Sequence, residues 1–240
     1  MSAPKSAPKS APKSALAIRD LVVRYPGLDA PALEVPALTL AAGEALLVSG
    51  PSGAGKTTFL NAVTGLDGRG QGVVAWDGIN LIGLSEGARD RWRAGHVGLV
   101  MQDFHLFPAL SVRENVMLPQ RLARWGRLPP ALRTEADALL VRVGLDRPQQ
   151  RAGTLSRGQK QRTAVARALL CRPGIVVADE PTASLDPVAG HAVAELLVGL
   201  AANLGASLIV ASHDPVFAAR IARHARLEGG RFVTGEGDAA

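Results

Sequence analysis

Aromatic residues are only 4% of this 240-residue chain and include one tyrosine, so a buried core must rest on Ala, Val, Leu and Ile. A single cysteine, Cys171, excludes an intrachain disulfide framework and leaves no metal-ligand spacing. Its expected place is a small buried position near a helix end. No apolar run approaches the roughly 18–20 residues needed to span a bilayer. The N-terminus also lacks the apolar segment of a secretory signal. Any membrane association must therefore come through a partner or a surface contact. Acidic residues are absent before Asp20, and Lys5, Lys9 and Lys13 supply three of the six net positive charges. The remaining balance of +3 is too weak to indicate a nucleic-acid partner.

Those lysines sit in a Ser-Ala-Pro-Lys repeat, and proline at every fourth position forbids helix there. Residues 1–15 are read as a disordered, solvated tail. At about 1 kcal/mol per lysine near an anionic surface, that tail is a marginal lipid anchor. Residues 16–240 carry the globular part. Strands are predicted over 16–25, 34–40, 45–49 and 72–77. Between about 88 and 165 the pattern turns helical, with few strands after 96–102. Ser111 and Glu114 form a capping box that starts a helix running toward Trp125. Pro129 and Pro130 open another, which stops at Gly144. Ser156 caps a helix to about Cys171; strand 174–178, helix 187–204 and strand 207–211 then alternate. A hairpin over 226–233 turns at Gly229 and Gly230. The reading is a parallel α/β core interrupted by a helical insertion.

Two segments carry chemistry. Gly50-Pro51-Ser52-Gly53-Ala54-Gly55-Lys56-Thr57 fits G-x-x-x-x-G-K-[ST], lies between a predicted strand and helix, and continues into Thr58. Backbone N–H groups of such a loop wrap phosphate oxygens, and the helix N-terminus adds its positive dipole end. Lys56 reaches the β- and γ-phosphates, and the Thr57 hydroxyl is a Mg²⁺ ligand. The second segment is the apolar run from Gly174 that ends in Asp179 and Glu180. Carboxylates leaving the C-terminal end of a parallel strand arrive where open α/β sheets bind ligands. Asp179 is assigned to the Mg²⁺ shell, and Glu180 to orienting and deprotonating the attacking water. These two features leave kinases, GTPases, helicases and transport ATPases open.

Leu155-Ser156-Arg157-Gly158-Gln159-Lys160-Gln161-Arg162, just upstream of that acid-tipped strand, narrows the choice. It closely resembles the signature of the ATP-binding-cassette (ABC) ATPases, Leu-Ser-Gly-Gly-Gln. The resemblance runs in order over about residues 16–235. Gln102 matches the family's Q-loop, Ser184-Leu185-Asp186 its D-loop, His213 its switch histidine and Tyr25 its adenine-stacking aromatic. Asp186 has a second reading as the N-cap of the helix opening at Pro187.

The resemblance implies a P-loop NTPase (RecA-like) parallel-sheet core, with an antiparallel β region and an α-helical subdomain inserted at about 88–165. It implies ATP and Mg²⁺ as ligands, with Gln102, Glu180 and His213 catalytic and Thr57, Gln102 and Asp179 around the metal. Tyr25, residues 50–58, Ser156, Gly158 and Gln159 would contact nucleotide. A homodimer is implied, each ATP lying between the phosphate loop of one subunit and the signature of the other. Arg157 departs from the motif by replacing its first glycine; the expected outcome is an outward side chain. A positive φ there would cost about 1 kcal/mol or more. Phe104, Leu106, Phe107 and Leu110 would form the groove for a transmembrane permease, placing the chain peripherally at the cytoplasmic face of the inner membrane. Ala178–Thr182, Gly65-Leu66-Asp67 and Glu114–Pro119 look most like the lipoprotein-release and macrolide-export group. An amino-acid-type importer subunit and a soluble non-transport ABC ATPase remain the alternatives.

Overall fold

The computed structural model describes residues 14–123 and 128–233. In chain order the strands and helices are β1 (Leu16–Val23), β2 (Leu33–Leu40), β3 (Ala45–Ser49), α1 (Lys56–Val63), β4 (Gly70–Trp76) and β5 (Ile79–Asn80). Next come α2 (Glu86–His96), β6 (Val97–Val100), α3 (Val112–Ala123), α4 (Pro130–Arg142) and α5 (Arg157–Leu169). The chain then runs through β7 (Ile175–Asp179), α6 (Pro187–Leu204), β8 (Ser207–Ala211), α7 (Pro215–Ala218), β9 (Arg223–Glu228) and β10 (Arg231–Val233).

Among the described residues the strands form one ten-stranded sheet, ordered β5-β4-β1-β2-β10-β9-β3-β8-β7-β6. Its two halves differ in kind. β1 pairs antiparallel with β2 and β4, and its burial alternates at both ends, as a strand with one wet face should. β3, β8, β7 and β6 are parallel neighbours, and all five residues of β7 and of β8 are buried. Strands covered on both faces read as unbroken apolar runs, which is why these two stand out in the sequence. β10 joins the halves through the pair Arg231–Glu34, where the two side chains also form an ion pair.

One apolar cluster lies under α3 to α6, with Val176, Ala178, Leu208 and Val210 from the sheet. The other lies around α1 and the antiparallel strands, with Phe59, Trp76, Val177 and Ile209. The Trp76 indole N–H donates to the Val63 carbonyl at 2.8 Å, which fixes β4 to the end of α1. The side chains of α3 and α4 are tied by an Arg113–Asp137 ion pair. The capping box at Ser111 forms as read, Glu114 accepting from both the Ser111 amide and its hydroxyl. That helix is described to Ala123, so its predicted approach to Trp125 lies outside the described residues.

Several sequence expectations need correction. Ser14 and Ala15, assigned to the tail, join the fold: Ser14 is buried, and the exposed Ala15 donates its amide to Asp77 at 2.9 Å. The rest of the tail lies outside the described residues. Cys171 is exposed rather than buried, because α5 ends at Leu169 and the chain turns outward before β7. The helix α6, 18 residues of mean hydropathy 1.3, is long and apolar enough by length and composition to cross a membrane, contrary to the sequence estimate. Its Val193, Ala194, Leu197 and Ala201 pack into the core beside the sheet, while His191 and Glu195 are exposed. Neither α7 nor β5 is foreseen, and β9 starts three residues early, its alternating charges hiding a strand.

Phe59 is fully buried and meets Phe232 edge-on, ring centroids 5.2 Å apart. Phe59→Ala removes the contact that seats α1 against the C-terminal hairpin and should destabilise the fold by about 3–5 kcal/mol. A urea midpoint equal to that of the parent would disprove this account of how α1 is seated.

Candidate active site

Four groups leave the C-terminal ends of four adjacent parallel strands. The phosphate loop follows β3, His213 follows β8, Asp179 and Glu180 close β7, and Gln102 follows β6. Their convergence forms a cleft of about 730 Å³ lined by Tyr25, residues 50–58, Gln102, Asp179, Glu180 and His213. Leu28, Ala32 and Ala183 complete its wall.

The loop is shaped by contacts only glycine allows at two points. Gly50 has φ 147°, and a Cβ there would sit 2.1 Å from the Leu227 carbonyl oxygen. Gly55, at φ 101°, would place a Cβ 3.0 Å from the Ala32 carbonyl oxygen. The C-terminal hairpin closes the loop from behind, the Gly230 amide donating to the Ala54 carbonyl at 3.0 Å. α1 then starts with no side-chain cap and no acidic residue in its first turn. Its first N–H groups and positive dipole end therefore face the cleft without an internal partner, which is the chemistry of an anion site.

Lys56 Nζ donates to the carbonyls of Gly50 at 2.7 Å and Pro51 at 3.2 Å, and lies 3.6 Å from Glu180. Thr57 donates its hydroxyl to Asp179 Oδ2 at 2.9 Å. Burial pushes the Asp179 carboxyl above its ordinary range; the Thr57 hydroxyl opposes this, and the neighbouring Glu180 charge adds to the rise. Glu180 occupies φ 42°, a left-handed conformation that costs a non-glycine residue roughly 1–3 kcal/mol. It is held there by its amide donating to the Ala211 carbonyl at 2.8 Å, by Ser212 Oγ at 3.3 Å and by His213 Nδ1 at 3.1 Å. The strain aims the carboxylate across the cleft mouth toward Lys56.

Ser212 and Asp214 escaped the sequence reading. Asp214 caps α7 and accepts from Thr182 Oγ1 at 2.7 Å, while its amide donates to Ser212 Oγ at 3.1 Å. A chain of polar contacts thus runs from Thr182 through Asp214 and Ser212 to Glu180. Asp214 directly before Pro215 is a helix-start signal, and it could have been read as one.

The signature residues lie elsewhere. Ser156 caps α5 and forms a full capping box with Gln159, and neither residue nor Gly158 lines the cleft. Arg157 is the first residue of α5 and is absent from the positive-φ positions, so it carries none of the strain considered from sequence. Its guanidinium points outward and reaches the Ser184 carbonyl at 3.4 Å. Asp186 caps α6, accepting from the Val188 and Ala189 amides at 3.1 and 3.0 Å.

The fold and this edge define a P-loop nucleoside-triphosphatase. The profile of the ABC transporter family matches residues 33–183. The chain is 43% identical over 193 residues to a lipoprotein-releasing system ATP-binding protein LolD 2 of Rhodospirillum rubrum, covering 80% of this chain and 83% of the relative. A LolD protein of Coxiella burnetii is 40% identical over 206 residues, or 85% and 88% of the two chains. A dimeric ATP-binding cassette in a post-hydrolysis state, bound to ADP and Pi, superposes with TM-score 0.82 at 32% identity, covering 91% of this chain and 97% of its own. The chain belongs to the ABC transporter family, and it is an ATP-binding subunit of the class that hydrolyses ATP.

Removing the ammonium in Lys56→Ala should weaken ATP binding by about tenfold or more, since charge-assisted contacts to phosphate are the strong ones. Equilibrium titration with MgATP checks this; an unchanged dissociation constant would discredit the phosphate-loop assignment.

Proposed function

We propose that this chain is the ATPase subunit of a lipoprotein-release-type transporter, working as a homodimer that drives a separate transmembrane permease. Support for the transporter type comes from the LolD relatives, which match over most of both chains. The observation that carries the mechanism is the one-edge convergence of Lys56, Thr57, Gln102, Asp179, Glu180 and His213. As a permease-bound subunit, the chain sits peripherally at the cytoplasmic face of the inner membrane.

Thr57 and Asp179 fit a hard divalent cation: both are oxygen donors, and they already share one short contact. A cation there also relieves the buried Asp179 carboxylate, whose charge the surroundings disfavour. Among the described residues no group of three His, Cys, Asp or Glu forms a cage, which suits an ion carried mainly by phosphates. Thr57, Asp179 and Gln102 would hold Mg²⁺, which supplies charge neutralisation on the transferred phosphoryl group. The loop amides and Lys56 bind and orient the triphosphate. Glu180 takes the proton of the attacking water, and His213 contacts the γ-phosphate. Tyr25 stacks on adenine. Ser156, Gly158 and Gln159 of a second copy close the cleft from its open side, their helix N-terminus facing phosphate.

The expected boundary near residue 88 moves, because β6 is a strand of the core sheet beside β7; the helical segment that follows β6 acts as the inserted subdomain that passes the permease's motion to Gln102. Leu106 packs against the core, whereas Phe107 is 55% exposed. Arg167, on the signature helix, donates to the carbonyls of Phe104 at 2.8 Å and His105 at 2.6 Å. None of Phe104, Leu106, Phe107 and Leu110, expected to form the permease groove, lines the neighbouring groove of about 340 Å³; Leu99, Met101, Pro119 and Arg167 do, and that groove suits a short permease helix.

Glu180→Gln should keep MgATP binding, accumulate the dimer and lose about 10²–10⁴ in turnover, the usual contribution of a general base. Light scattering with MgATP that finds only single subunits, with the permease supplied, would refute the dimer mechanism. Copurification from detergent-solubilised membranes tests the partner: a permease supports transport, and ribosomes alone would contradict it.

A further inference from the structure

Behind the cleft, three side chains from two connecting segments, one following β1 and one leading into β4, form a closed polar set. Antiparallel pairing of β1 and β4 sets Val23 opposite Gly70, which brings Tyr25 alongside the segment 67–69. Asp67 divides its two oxygens. Oδ2 accepts from the Tyr25 hydroxyl at 2.9 Å; Oδ1 accepts from the Arg69 amide at 2.9 Å and from Arg69 Nε at 3.1 Å. The Arg69 guanidinium then lies over the Tyr25 ring, 5.0 Å from its centroid. Tyr25 lines the nucleotide cleft, but neither Asp67 nor Arg69 does. Of the three residues, Tyr25 is the one that the cleft sees.

The set is also fixed to the phosphate loop's helix. The amides of Leu66 and Asp67 both donate to the Asn61 carbonyl on α1, at 2.9 and 3.2 Å. The Asp67 side chain is largely buried; burial alone would raise its carboxyl, but the Arg69 amide, the Tyr25 hydroxyl and the Arg69 guanidinium outweigh this and hold it below the ordinary range. A charged acceptor is thus present at neutral pH to hold both neighbours.

We propose that Asp67 and Arg69 are positioning residues that pre-set the Tyr25 ring as the stacking platform for the nucleobase, at a fixed distance from the phosphate cradle. The proposal rests on adenine meeting Tyr25, as in the proposed function. Its physical content is entropy already spent: a ring held at its hydroxyl and backed by a cation has no rotamers left to lose when the base arrives. It gives the Asp of Gly65-Leu66-Asp67 a role in nucleotide recognition although it never touches nucleotide.

The test uses the full chain and two ligands, MgATP and magnesium tripolyphosphate, which has no base. Asp67→Asn, Arg69→Ala and Tyr25→Phe should each weaken MgATP binding by about three- to tenfold, in line with one side chain's immobilisation. Tripolyphosphate affinity should not change, and this also shows that the variants are folded. Tyr25→Ala separates the two readings. If it leaves MgATP affinity unchanged, the base does not sit on Tyr25 and both readings fall. If it weakens MgATP while Asp67→Asn and Arg69→Ala do not, only the positioning role is overturned. Equal losses for both ligands would also overturn it, since the damage would then lie in the phosphate cradle.

Discussion

Parallel pairing of β3, β8 and β7 sets Val48, Ala211 and Asp179 level with one another, and the site depends on that register. From this row the chain leaves β3 into the phosphate loop, β8 into Ser212 and His213, and β7 into Glu180. A slip of one residue would turn each side chain to the opposite face and separate Asp179 from Thr57. The burial of β7 and β8 on both faces is what holds the register, because any slip would alter packing against both cores at once. The same pairing reaches outward to β6, whose Val100 lies opposite Ala178 and whose continuation carries Gln102. Fold stability and site geometry here are one property.

That arrangement also concentrates like charge. Asp179 and Glu180 are consecutive carboxylates at a strand end, one buried and one in a strained conformation. Burial disfavours the charged form of Asp179, and the next residue's charge compounds it. Lys56 opposes both from 3.6 Å of Glu180, yet it is already committed to two backbone carbonyls. On the function proposed above, such an edge would suit a cation and a polyanion arriving together, the cation at the carboxylates and the phosphates at the uncapped N–H groups of α1. Neither ligand alone satisfies both sets.

What could be read from sequence follows from which signals are local. The glycine loop, the acid-tipped strand and the helix caps at Ser111, Ser156 and Asp186 are all set by residues within a few positions, and the structure places each element where the pattern put it. The strands β7 and β8 were legible because burial on both faces leaves continuous apolar runs. The misses are of another kind. The Tyr25–Asp67 contact joins residues 42 apart, and the Thr182–Asp214 contact joins residues 32 apart. Nothing local marks such partners, because the pairing of the strands that carry them decides who meets. Cys171 departs from its expected burial for a related reason: composition says how often a cysteine is buried, but only the exit path of α5 says which way this one faces.

The signature segment shows how far one copy of the chain goes. Ser156 accepts from the Gln159 amide at 3.2 Å, and Gln159 in turn accepts from the Ser156 amide at 2.9 Å, so the first turn of α5 is rigid before any phosphate reaches it. It is rigid in the wrong place to serve its own cleft, which it does not line. Arg157 fits this picture without distortion. In the first turn of a helix no positive φ is required, and its long side chain is free to run outward along the chain surface to the Ser184 carbonyl. The Cβ that a residue at Gly158 would carry meets Ala189 of α6 only at 3.5 Å, ordinary contact, so the glycine there is not demanded by packing within the chain. A glycine that its own subunit does not need, beside a pre-formed helix cap turned away from its own cleft, makes physical sense if a second subunit's phosphate must approach that backbone closely.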